Sequence, residues 1–223
     1  MVLIFTVSSV SFTGPLHTRG FSIYAHHIHL SHLHWDHVGD PSHFPNAEIV
    51  LGADAKTVLQ NAYPTNPNSV IQALPSTHRA VFIDFFNSSP SLIAPFGAFD
   101  RTVDLYGDGS VYLVDTPGHM PGHLAALARV GPNAFVLLAG DVCHNRACYN
   151  PGERLVSEVN HMDIAVARET VSRVVRVAKE IPNVVVILAH ESEREKEIPF
   201  FPVAIDSWVV NEVRRRAEDT KSP

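Results

Sequence analysis

The chain has 223 residues, 45% hydrophobic and 18% charged, with a formal net charge of −6. That balance excludes a disordered tract, and the acidic sign disfavours nucleic-acid binding, which calls for a basic patch or stripe. No linker-like stretch divides the sequence, so a single domain over residues 1–223 is expected.

In chain order, VLIFTV at residues 2–7 reads as an initial strand. The apolar run that contains it is far shorter than the ~20 residues needed to cross a bilayer. It also lacks the basic start and cleavage site of a secretory signal, so no membrane partner is expected. Residues 21–30 form a strand leading into a histidine-rich stretch, and residues 47–51 (AEIVL) form a short buried strand. A helical pattern over 53–62 is stopped by Pro64. Three prolines make 63–79 a surface loop, 80–86 returns as a strand, and 88–99 is irregular although rich in Phe, Ile, Leu and Pro. Strands at 102–106 and 110–115 flank Gly107-Asp108-Gly109, a hairpin signal. A second pair, 124–130 and 134–139, turns about Gly131-Pro132-Asn133. Asp163 caps a helix to Glu180 whose apolar positions Ile164, Ala167, Val171, Val174, Val175 and Ala178 share one face. Pro182 ends it, 184–188 is a β-branched buried strand, and a last amphipathic helix covers 207–217. Arg214, Arg215 and Arg216 read as a solvated helical end.

Histidine stands out, with 14 residues. In Ser31-His32-Leu33-His34-Trp35-Asp36-His37, side chains two apart along an extended segment point the same way. His32 and His34 can therefore reach one ion, while Asp36 and His37, where the chain turns away, serve a second. Imidazoles with a carboxylate suit Zn²⁺, and Fe or Mn also fit. His119 in a Gly-Pro turn, Asp141 after FVLLA and His190 after VVVILA each follow a strand, so several strand ends deliver ligands to one edge. Cys143 and Cys148 match no usual zinc spacing and are too few for a disulfide framework. Two free thiols suit a reducing compartment, and a cytoplasmic location is expected.

The ordered set HLHWDH, TPGHMPGH, AGD and AH, spread over about residues 22–210, resembles the metal motifs of the metallo-β-lactamase-fold hydrolases. The resemblance implies an α/β fold, an αββα sandwich of two mixed β-sheets flanked by helices, with a dinuclear site at one edge. It implies two Zn²⁺ ions: one held by His32, His34 and His119, the other by Asp36, His37 and His190, with Asp141 bridging. His123 matches a histidine that orients the neighbouring ligand loop. Trp35 and the His144 spacing after Asp141 are similar to the lactonase-like branch, which includes N-acyl-homoserine lactonases. Those lactonases carry a tyrosine where this chain has His144. Only 31 residues precede His32, fewer than family members usually place there, which implies a shortened N-terminus with edge strands lost or replaced.

The expected chemistry is attack on a lactone or related ester carbonyl by a metal-bound hydroxide. His144 would donate a hydrogen bond to the carbonyl or a proton to the leaving group, and Asp36 would relay a proton. No GxSxG elbow offers a protein nucleophile. Phe82, Phe85, Phe86, Leu92, Ile93, Phe96 and Phe99 can line an acyl pocket or pack in the core. His26, His27, His29, His43, His78 and His161 have surface or packing roles by default. The partner is then a small molecule with an acyl or lactone group, and a homodimer is compatible with the sequence. A thioesterase of the glyoxalase II kind uses the same ligands and a β-lactam hydrolase is a further alternative; an inactive metal-binding scaffold is the rival from another class.

Overall fold

The computed structural model describes residues 26–87, 93–150, 152, 154–199 and 203–219. The strand expected at 2–7, and residues 21–25 of the next, lie outside the described residues. A three-stranded sheet is built from β1 (His27–His29), β2 (Glu48–Gly52) and β3 (Ala80–Ile83), paired in parallel in that order. A six-stranded sheet runs β4 (Ile93–Phe96), β5 (Phe99–Asp104), β6 (Val111–Asp115), β7 (Leu124–Gly131), β8 (Ala134–Leu138) and β9 (Val184–Ile187). Its pairings are antiparallel up to β8, and β9 joins β8 in parallel, with Leu137 opposite Val186.

The two sheets meet through Val50, Phe85, Val103, Leu113, Leu124 and Ala126. On the far side of the small sheet, Ile28, Leu30, Ile49 and Leu51 pack under Ala55 and Val58. Val58 lies on the short helix α2 (Lys56–Leu59). Alternation along β9 then divides the large sheet's cover. Val184 and Val186 face α3 (Ile164–Glu180), whereas Val185 and Ile187 face Val209 of α4 (Asp206–Asp219). Helix, sheet, sheet and helix thus stack in layers, as the sequence implies.

The helix expected over 53–62 is shorter than its pattern. A 3-10 turn, Ala53–Ala55, leads into α2, and the bonds from Asn61 N–H to Val58 O and Ala62 N–H to Leu59 O are of the tighter i→i+3 kind. Residues 93–96, read as irregular, form β4. Pro95 hides this strand, and it is tolerated because β4 is an edge. Asp163 caps α3 as expected, accepting from Val166 N–H at 3.1 Å. The helix buries Ala167, Thr170, Val171, Val174 and Val177. Cys143 and Cys148 are buried free thiols.

The aromatic stretch does not form one pocket. Phe82 packs with the small sheet's outer core, Phe96 and Phe99 with the α3 core, and Phe85 and Ile93 with the layer between sheets. Leu92 lies outside the described residues. Phe86 is exposed and lines two cavities of about 260 and 320 Å³ together with Asp115.

Candidate metal centre

The strand ends carry the site. After β1 the chain runs through Ser31 to His34 and enters the single-turn helix α1 (Trp35–Val38), which holds Asp36 and His37. His119 sits in the turn after β6, Asp141 three residues after β8, and His190 three residues after β9. Gly140 makes the bend before Asp141: its φ of +55° is left-handed, and a Cβ there would lie 2.9 Å from His123 Nε2.

Three nitrogens converge first. His32 Nε2 lies 2.9 Å from His34 Nδ1, and His119 Nε2 lies 3.1 Å from each. A second set places His37 Nε2 3.3 Å from His190 Nε2, with Asp36 Oδ2 3.6 Å from both. Asp141 joins them through one oxygen. Its Oδ2 is 3.3 Å from His37 and from His190, 3.5 Å from His119 and 3.9 Å from His32. All seven ligand candidates read from the sequence therefore gather at one place.

Burial holds the ring of His32 well below the usual imidazole range and that of His119 at about 2, reinforced by neighbouring imidazoles. These rings are neutral, and each has one N–H and one lone pair. Three converging ring nitrogens cannot then satisfy each other, because any assignment leaves two like groups facing at about 3 Å. A cation removes the conflict. Tetrahedral zinc with bonds of about 2.0–2.1 Å sets its ligand atoms roughly 3.3 Å apart, close to the spacings in both sets. Burial pushes Asp141 up, but hydrogen bonds from His144, His190 and His37 outweigh it, and its carboxyl is held far below the usual range. The donor set fits metal.

His123 is fully buried and holds the scaffold. Its Nδ1 meets Thr116 Oγ1 at 2.8 Å and Thr116 O at 3.1 Å, and its Nε2 accepts from Asp141 N–H at 3.0 Å. This pairing fixes the tautomer with the proton on Nδ1. His144 stands over the Asp141 carboxylate, with Nε2 3.1 Å from Asp141 Oδ2 and its ring stacked on His190 at 5.2 Å.

His161, given a surface or packing role from the sequence, belongs to this group. Its ring lies 5.3 Å from that of His119 and 5.6 Å from that of His144, and both its nitrogens are shielded without a partner. Met162 N–H to His119 O (3.0 Å) and Asp163 N–H to Gly118 O (2.9 Å) strap it there. Spacing carries no signal for such a contact. His29 is likewise buried, and desolvation lowers its pKa to about 4. His26 is exposed, as is His43 beside Asp40; His27 faces Glu48 at 3.7 Å, and His78 reaches Phe44 O at 3.1 Å.

No protein-family model matches the chain. Among curated proteins it is 31% identical over 210 residues to the cytochrome P450 monooxygenase mpaDE′ of Penicillium brevicompactum, covering 84% of this chain and 24% of that protein. It is 30% identical over 222 residues to the metallo-hydrolase mfmC of Annulohypoxylon moriforme, covering 82% of this chain and 57% of mfmC. With the gamma-lactamase MBL2 of Gibberella moniliformis it shares 39% identity over 125 residues, 54% of this chain and 51% of MBL2. The chain thus spans about a quarter to about half of these relatives. Among solved structures, a variant of AiiA from B. thuringiensis with N-decanoyl-L-homoserine at its active site superposes with a TM-score of 0.60. That match has 20% identity and covers 80% of this chain and 61% of AiiA.

Proposed function

From the premise that this chain is a metallo-β-lactamase-fold protein related to the lactonase-like branch, we propose that it is a metal-dependent hydrolase opening a lactone or related cyclic acyl compound. What supports this most directly is the placement of Asp141 Oδ2 within 3.9 Å of ring nitrogens from both ligand sets. Two ions, zinc by the chemistry of the donors, would be held by His32, His34 and His119 and by Asp36, His37 and His190, with Asp141 between. When bound, the metal supplies Lewis acidity that polarises an acyl carbonyl and acidifies water.

The chain's own groups then handle protons and orientation. Water oxygen adds to the acyl carbon, the ring C–O bond breaks, and the departing oxygen must gain a proton. Asp36, about one-third exposed, takes the proton released by water. His144, whose side chain is 27% exposed, reaches from the bridging carboxylate toward the open side. There its second ring nitrogen takes up the proton held by Asp36 and either donates a hydrogen bond to the acyl oxygen or hands that proton to the leaving oxygen, which returns the ring to its neutral form. The sequence places histidine where lactonases of that branch carry tyrosine, and an imidazole can fill either of these roles.

A lactam is the second reading, favoured by the 39% identity to a gamma-lactamase. Zinc-loaded protein assayed on lactones, γ-lactams, β-lactams and thioesters, beside a His32→Ala, Asp141→Ala double variant, separates the readings. Hydrolysis of a cyclic ester at least 100-fold above the double variant is expected. Equal rates on every substrate would leave a metal-binding scaffold without activity.

A further inference from the structure

Glu191 directly follows His190 and takes no part in the chemistry above. Its side chain is fully buried, which is costly for a carboxyl unless partners meet it. Three do. Leu188 N–H donates to Oε2 at 3.3 Å, the Arg194 guanidinium lies 3.4 Å from Oε1, and that of Arg146 lies 3.6 Å from Oε1. Arg194 is itself buried and donates to Val186 O at 3.2 Å, the carbonyl that also accepts from the Tyr149 hydroxyl at 3.3 Å.

These partners come from two directions. Leu188 and Arg194 lie in the segment directly after β9; Arg146 and Tyr149 belong to the segment that follows Asp141 and His144. The sheet itself stops short of the site. The β8–β9 ladder ends at Leu138 opposite Ile187. Beyond it, Ala139 N–H to Ile187 O (2.8 Å) and Ala189 N–H to Gly140 O (3.0 Å) are the last backbone bonds joining the two segments among the described residues. The latter bond sets Asp141 beside His190, but past it the turn that carries His144 and Arg146 is held to the His190 turn by side chains. Asn145 adds a weaker exposed link, its amide donating to Glu193 at 3.4 Å.

We propose that Glu191 is a positioning residue that clamps the Asp141–His144 turn to the His190 turn, so that the ion site of Asp36, His37 and His190 depends on its carboxyl. The clamp rests on the metal reading above. Glutamine keeps the shape but cannot balance two guanidinium charges. Metal-free wild type, Glu191→Gln, Arg146→Gln and the exposed control Glu195→Gln would be titrated with Co²⁺, following stoichiometry and visible d–d absorption, beside thermal melts without metal.

Wild type and Glu195→Gln are expected to bind two Co²⁺ ions. In Glu191→Gln one site should keep its affinity while the other weakens about 10- to 100-fold, with an altered visible band. Arg146→Gln should weaken the same site in the same direction. Two sites of wild-type affinity and spectrum in both variants would overturn the clamp, as would a lowered melting temperature with both sites intact. If Glu191→Gln melts as an unfolded chain, Arg146→Gln, whose side chain is partly exposed, decides alone. Failure of wild type to take up Co²⁺ would instead sink the metal reading itself.

Discussion

Asp115 ends β6, four residues before His119, and faces the two cavities that Phe86 borders. Burial, and then the nearby Asp54, push its pKa from 3.8 to about 6, against the pull of Arg173 and Arg101. The sign of the linkage follows. Because the folded chain holds this proton more tightly than the unfolded one, stability falls as pH rises from about 4 to 6, and the full penalty stands above that window. A rise of that size corresponds to a penalty on the order of 2–3 kcal/mol. Asp115→Asn is expected to raise the melting temperature at pH 7 and to give little gain at pH 4. Melts across pH 4–8 check this, and a difference that does not vary with pH would refute it. Residues of this kind were opaque in the sequence. His32, His34, Asp36 and His37 were legible because their spacing alone puts them together, and His119, Asp141 and His190 because each follows a strand. His161 and Glu191 were not, since one reaches the site through a strap to a distant turn and the other through guanidinium partners on two segments.

At the scale of elements, α3 holds the His119 turn in place. Thr170 Oγ1 donates to Pro117 O at 2.7 Å, and Asp163 and Met162 donate to Gly118 and His119 from just before the helix. Gly118 makes this approach feasible. Its φ is +119°, and a Cβ there would lie 2.3 Å from Ala167 N and 2.4 Å from its Cα, where only backbone can give way. Gly118→Ala is therefore expected to cost at least about 2 kcal/mol and to loosen metal binding through His119. Urea unfolding gives the first quantity; a change within about 0.5 kcal/mol would mean the helix can retreat freely. The hairpins, α3, β9 and α4 were readable because period and turn residues agree over their lengths. The strand β4 was masked by Pro95, and the helix over 53–62 was overdrawn because an apolar period continues through a turn that no longer propagates it.

Across the whole molecule, the two sheets supply complementary parts of one centre: His32, His34, Asp36 and His37 from the small sheet's side, His119, Asp141 and His190 from the large one's. An ion that binds only the assembled pair stabilises it by mass action, by about 2.7 kcal/mol per site at a hundredfold excess over Kd. For a chain of this size that is a rise of roughly 5–10 °C. Zinc added to metal-free protein should produce it and a chelator should reverse it; an unchanged melt would count against the centre. The joining of partners separated by 87 residues (His32 and His119) and by 153 (His37 and His190) has a kinetic side. Loop closure over such spans comes late, so on the metal reading proposed above a growing polypeptide would have only a weak, reversible grip on a cation through its early histidines. Tight capture would wait until the last histidine has left the ribosome and docked, and the ion would act as a seal on a finished fold rather than a seed for it.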